Sequence, residues 1–279
     1  MTVREQRIYA GMAAHWEKAV ELYGEDRIVG LFLQGSQNYG LDDEESDIDT
    51  KLLVIPTLEE VIFNKQPIST THILENDEHM DAKDIRLYFQ CFRKGNPNFL
   101  EIMFTDFYML NPEYADLWED VVEMREDIAH LNPLVAAKAM MGMVQEKFHA
   151  MEHKYPSRAR IIDEFGYDPK QLSHLIRVSN MLQYYVMNPE VSYKELLDFS
   201  NFTSFERENY QTYLKGVKRG KAYSLEEARV KATEFLGFAD GTLQVAKERW
   251  NGKEDELTVA AMQEVQAEFV RRYLRKELM

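Results

Sequence analysis

Residues 32–56 read FLQGSQNYGLDDEESDIDTKLLVIP, and the chain is organised around them. The apolar run Ile28-Val29-Gly30-Leu31-Phe32-Leu33 leads in and reads as a buried strand. It stops at Gly35-Ser36, an acidic loop follows, and Leu52-Leu53-Val54-Ile55 forms a second apolar run after Asp47-Ile48-Asp49. The reading is strand, Gly-Ser turn, loop, then a strand that opens on two acids. Alternate side chains of a strand share a face, so Asp47 and Asp49 point one way and Ile48 points into the core. Two neighbouring carboxylates repel each other, so a cation should offset them. Hard oxygen donors in that number suit Mg²⁺, which takes one or two carboxylates and completes its shell with water and substrate phosphates. Glycine at the turn lets backbone approach a phosphate, turn amides hold anions, and the Ser36 hydroxyl adds a donor.

Composition bounds the rest. At 279 residues the chain holds one large or two modest domains, and 45% hydrophobic content supports a packed core. The net charge of −15 argues against a broad basic surface for duplex nucleic acid and leaves room for a local basic cleft. One cysteine, Cys91, excludes an intrachain disulfide and a Cys-rich zinc site; it lies in an apolar helical pattern and reads as core. No charged-then-apolar leader and no run of about 18 apolar residues is present, which points to a cytoplasmic protein without membrane spans.

Residues 3–23 read as an amphipathic helix ended by Gly24. Thr57-Leu58-Glu59-Glu60 is a capping-box pattern for a short helix. Strands are expected near 72–74 and 78–82, with Asn76-Asp77 as the turn before the second. Asp84 caps a helix to Gly95, residues 99–104 read as another short helix, and 107–110 as an edge strand. From Asn111 the pattern is helical, with helices expected over 112–128, 133–153, 169–187, 191–199, 205–217, 224–236 and 255–277; Asn-Pro pairs open the first two. The clustered methionines Met140, Met141, Met143 and Met151 read as adaptable core filler. His149 and His153 share a helix face without a nameable third ligand, which weakens a metal-hydrolase reading. The expected division is residues 1–125 and 126–279, with 163–168 as a short break.

The conjunction of apolar run, Gly35-Ser36, a spacer of about ten residues, Asp47-Ile48-Asp49 and a second apolar run resembles the signature of the DNA polymerase β-like nucleotidyltransferase superfamily. Further segments resemble one bacterial and phage branch of it, related to an RNA-repair-associated polymerase β-like family. These are Gly35, Ser36, Gly40; Ser46, Asp47, Asp49; Lys94-Gly95-Asn96-Pro97 with Leu100-Glu101; and Lys170, His174, Arg177. The likeness spans residues 30–178, and the tail carries little of it.

The resemblance implies an α+β fold: a small mixed sheet with helices on one side as the catalytic domain, then a mainly helical C-terminal domain completing the cleft. It implies a third carboxylate on a neighbouring strand, for which Glu78-His79-Met80-Asp81-Ala82 offers Asp81, favoured, or Glu78. Two Mg²⁺ or Mn²⁺ ions would be held by Asp47, Asp49 and Asp81, with Gly35 and Ser36 on the phosphates. A nucleoside monophosphate would pass from an NTP, ATP being favoured, to an acceptor hydroxyl, with release of pyrophosphate. The acceptor stays open between an RNA end, a protein hydroxyl and a small molecule. Lys170, His174 and Arg177, spaced i, i+4, i+7, share a helical face and would meet nucleotide or acceptor phosphates; the alternative is surface pairing with Asp163 or Glu164. The rival classes are a non-catalytic nucleotide-binding or antitoxin-like module of the same fold, a metal-dependent hydrolase, and an acidic interaction scaffold.

Overall fold

The computed structural model describes residues 1–43 and 46–278; Glu44 and Glu45, in the acidic spacer, lie outside them. The chain forms two compact units, Met1–Leu131 with Glu254–Met279, and Asn132–Lys253.

The first unit is α+β. Helix α1 (Val3–Tyr23) starts on a Thr2–Glu5 capping box, with the Thr2 hydroxyl accepting from the Glu5 amide. Strands β1 (Ile28–Leu33) and β2 (Thr50–Val54) are antiparallel neighbours, and every residue of both is buried. Short helix α2 (Leu58–Ile62) follows, capped by Thr57 and Glu60 as the sequence predicts. Strands β3 (Ser69–Ile73) and β4 (His79–Asp84) pair antiparallel, and β4 lies parallel to β2. Helix α3 (Ile85–Arg93) takes Asp84 as N-cap, and α4 (Pro97–Leu100) takes Asn96. The edge strand β5 (Tyr108–Leu110) completes a five-stranded mixed sheet in the order β3-β4-β2-β1-β5.

Alternation along the strands assigns two faces. Ile8, Met12 and Ala19 of α1 pack on Leu31, Leu33, Leu52, Val54, Met80 and Ala82 in one core cluster. Phe32, of opposite parity, stacks 4.4 Å from Trp118 in α5 (Ala115–Glu123). Helices therefore flank both sheet faces, a refinement of the one-sided arrangement expected from the sequence. Helix α6 (Arg125–Ala129) ends this stretch.

The second unit is helical: α7 (Pro133–Ala150), α8 (Ala159–Phe165), α9 (Pro169–Met187), α10 (Tyr193–Asp198), α11 (Ser204–Lys218) and α12 (Leu225–Arg249). Helix α9 is its hub, packed by α7, α11 and α12. The last helix, α13 (Glu256–Glu277), belongs to the first unit: Phe269 meets Tyr114 at 6.0 Å and Arg272 pairs with Asp116 at 2.6 Å. The compact units therefore depart from the expected 126–279 block, because the final helix packs on the sheet domain. Among the described residues no helix is long and apolar enough to cross a membrane.

Candidate nucleotide and metal site

Gly35 ends the lead-in from β1 and takes φ 85°, a left-handed conformation that side-chain-bearing residues rarely adopt. A Cβ built there would meet nothing within 4 Å. The space in front of the turn is open, and glycine is required by its backbone angle. Ser36 starts a 3-10 turn over Ser36–Tyr39 that Gly40 ends at φ 68°. Behind the turn stands Glu101, 3% exposed, which accepts from the Gly35 amide at 3.4 Å and from the Tyr39 hydroxyl. Asn38 braces the same turn, donating to the Leu33 carbonyl at 3.0 Å and accepting from the Thr105 hydroxyl at 2.7 Å.

The two acids lie just before β2. The Gln34 amide donates to the Asp49 carbonyl at 3.0 Å, so the Gly-Ser turn and the acidic segment are joined by backbone. Ile48 is 3% exposed and packs into the α1 cluster, while Asp47 is exposed and Asp49 is partly exposed. Asp49 accepts from the His79 amide at 3.0 Å and faces His79 Nδ1 at 3.2 Å; among the described residues Asp47 has no side-chain partner. From α1, Arg4 reaches Asp42 at 2.9 Å and the Gln37 carbonyl at 2.6 Å, which holds the start of the acidic loop.

The β2–β4 register decides the candidates for a third acid. Lys51 pairs with Asp81 across the strands, so Asp81 stands on the face of Asp49, one alternate position further along. Its two oxygens meet Lys51 at 3.3 Å and Lys83 at 3.0 Å, and both lysines lie over the Phe99 ring. Glu78 is on the opposite face. One of its oxygens accepts from the Ile48 amide at 2.9 Å and the other faces His15 Nε2 at 3.2 Å. His15 is fully buried and its Nδ1 meets the Thr50 hydroxyl at 2.7 Å. Burial holds the His15 imidazole below its ordinary range, against the opposing pull of Glu78 and Asp49. Glu78, the other acid that the sequence offers on this strand, lies behind Ile48 and holds its amide. Neither His15 nor Gly11 was singled out, although a Cβ at Gly11 would stand 2.9 Å from Ile48 Cγ1.

Residues 5–268, nearly the whole chain, match the family model RlaP, whose description is RNA repair pathway DNA polymerase beta family. The chain belongs to that family. No functionally curated protein matches this member of the RNA repair pathway DNA polymerase beta family. Among solved structures it is similar to a nucleotidyltransferase-like protein from Exiguobacterium sibiricum 255-15, with 12% identity over 94% of this chain and 92% of that one and a TM-score of 0.30.

Polymerase β-like nucleotidyltransferases generally use divalent metals. Asp47 and Asp49 would fit a Mg²⁺ arriving with a nucleotide: both are accessible hard donors, and phosphates would complete the shell. Both oxygens of Asp81, the third acid that the resemblance implies, meet lysines in this structure. Among the described residues no group of three His, Cys, Asp or Glu side chains could hold a metal ion by itself.

The predicted cationic row of α9 lies in the second unit. Lys170 is half-buried and Arg177 is 3% exposed. Burial pushes His174 well below the usual imidazole range, and the charges of Arg177, Lys170, Lys147 and Lys218 push it further. The row therefore gains Lys147 from α7 and Lys218 from α11, which the sequence did not group with it. Asp163 takes Lys154 at 2.5 Å, and among the described residues Lys170 makes no ion pair.

Proposed function

We propose that the protein is a metal-dependent nucleotidyltransferase that moves a nucleoside monophosphate from an NTP to an acceptor hydroxyl and releases pyrophosphate. The observation that carries this reading is the backbone link between Gln34, at the Gly35-Ser36 turn, and Asp49, which supports a phosphate grip beside two accessible carboxylates. The acceptor oxygen attacks the α-phosphorus, a new P–O bond forms, and the bond from that phosphorus to the β-phosphate oxygen breaks. A metal bound by Asp47 and Asp49 would supply charge neutralisation to the triphosphate and the departing pyrophosphate.

The chain's own residues do the rest. The Gly35 turn and the Ser36 hydroxyl bind the β- and γ-phosphates, and the open space before Gly35 admits them. Asp81 is the third carboxylate of the reading and takes the acceptor's proton as general base. To serve, it must exchange a lysine contact, and Lys51 or Lys83 then turns to the phosphates. Lys170, His174 and Arg177 bind phosphate of the nucleotide or the acceptor, arginine in two-pronged fashion. ATP is the favoured nucleotide. The family description favours an RNA end as the acceptor.

A second reading, a non-catalytic nucleotide-binding or antitoxin-like module, is favoured by the lysine pairs on Asp81. One experiment separates the two. The protein is incubated with α-phosphate-labelled NTPs, Mg²⁺ or Mn²⁺, and RNAs with defined ends. Label transferred to RNA, lost in Asp49→Asn, supports the enzyme. Saturable, metal-dependent NTP binding without transfer to RNA, protein or small molecules supports the module.

A further inference from the structure

The second unit holds a pocket that the proposed transferase chemistry does not use. It opens between α9, α10 and the start of α11, with a cavity of about 450 Å³, within the range of small-molecule sites. Three rings form its floor and wall. Phe199 and Phe202 lie nearly parallel, centroids 6.3 Å apart, and Tyr210 stands edge-on to them at 5.0 and 5.6 Å. Phe199 takes φ 59° as the left-handed cap that ends α10, an uncommon conformation for a bulky residue.

Amides line the rest. Asn180 Nδ2 donates to the Tyr210 hydroxyl at 2.8 Å, which fixes the carboxamide and leaves its oxygen as an acceptor. Burial pushes the Tyr210 hydroxyl up to about 12, so it stays protonated and keeps its own hydrogen to donate. Gln183 and Asn201 also line the pocket, and among the described residues neither amide has a side-chain hydrogen-bond partner. Among the described residues no acidic or basic side chain lines it. One turn back along α9 lies Arg177, with Lys170 and His174 on the same helix. Aromatic faces with carboxamides suit a planar heterocycle whose edge both donates and accepts.

We propose that this pocket binds a single unstacked nucleobase, with adenine the matching edge. An amide offers one donor and one acceptor, and adenine's N6 and its ring nitrogens return one of each. The base stacks on Phe202 and is read by Asn180, Gln183 and Asn201. The site lies wholly in the helical unit, so it stands whether or not Asp47 and Asp49 perform transfer. Its ligand is either a free adenine nucleotide or an adenosine in a single-stranded RNA.

Photolabelling tests this, with EDTA present so that the acidic site holds no metal. Two probes are used on the full chain: 8-azidoadenosine monophosphate, and a short oligoribonucleotide carrying one 8-azidoadenosine. The expected result is saturable labelling of peptides within residues 180–210, competed by unlabelled AMP more than by UMP. Labelling by the mononucleotide assigns the pocket to free nucleotide; labelling by the oligonucleotide alone assigns it to RNA. Phe202→Ala should weaken half-saturation about tenfold or more, as loss of a stacking platform does. Gln183→Ala, at an exposed position of α9, should weaken it several-fold. The Asp47→Asn, Asp49→Asn double variant should label as wild type does. Absence of label in 180–210 with both probes overturns the proposal, as does labelling indifferent to Phe202→Ala and Gln183→Ala, or lost in the double Asn variant.

Discussion

The two faces of the β2–β4 ladder carry the same residue types to opposite ends. On one face, Asp49, His79, Lys51, Asp81 and Lys83 form a row of polar side chains that runs away from the end next to the open turn. On the other, Thr50, His15 and Glu78 form a closed network beneath Ile48. Each face has carboxylate and imidazole. The first keeps them where ligand can reach; the second uses them to hold the peptide between Asp47 and Asp49. A carboxylate's role here follows from strand parity, since a shift of one residue moves a side chain to the other face.

The largest effect should come from the reachable face. Asp47→Asn and Asp49→Asn should each lower nucleotidyl transfer on the order of 10³-fold, because on the proposed reading several kcal/mol of charge stabilisation depend on the metal they would hold. Melting temperature should hold or rise, as repulsion between the acids is removed. Activity near wild type in either variant would end the assignment.

Asp81→Asn tests whether the lysine-held acid belongs to the chemistry. Transfer should fall about 10²-fold if it is the base. Stability should fall by about 1–3 kcal/mol, since Lys51 is left buried with a weaker partner. Adding Lys51→Met should recover the stability in a denaturant titration and leave transfer low. Recovery of both would reduce Asp81 to a structural partner.

On the supporting face, Gly11→Ala sets two effects against each other. Alanine gains about 1 kcal/mol of helix propensity, whereas its Cβ would press Ile48 at 2.9 Å. Overpacking of about 1–3 kcal/mol outweighs the gain. Displacing Ile48 moves both acids, and kcat should drop about tenfold or more while KM for NTP changes less. A stabilised variant with full kcat would show that the α1 face does not position the acids.

The smallest effect is a pH dependence. The folded His15 and His174 both bind protons less readily than the unfolded chain. Their contribution is complete above the unfolded value of about 6.5 and is lost progressively as pH falls below it. Melting temperature should therefore decline between about pH 7 and pH 5, and His15→Gln should make the decline shallower. An equal slope in wild type and variant would remove His15 as a contributor.

Much of this was legible in the residues. The Gly35 turn, β1, α1, α3 and α9 follow from local signals: apolar runs, capping residues, and Pro169 after Asp168. Helix α12 was expected to end near 236 and runs to Arg249. Gly237 and Gly241 weaken its pattern, but Ala239, Thr242, Leu243 and Ala246 remain buried, and packing outweighs about 1 kcal/mol per glycine. Helix α8 was missed because it has no side-chain cap and buries no residue.

The sequence by itself determined that Asp47 and Asp49 flank a buried Ile48 beside a glycine turn, because strand parity and glycine's conformational freedom are local properties. Only the tertiary structure decided that Asp81 and not Glu78 lies on the face of Asp49, that Lys51 and Lys83 hold Asp81, and that His15 and Glu78 brace Ile48 from behind. It also decided that α13 returns to the first unit and that Lys147 and Lys218 join the α9 cations. Those facts depend on strand register and on contacts between residues far apart in the chain, which no window of sequence contains.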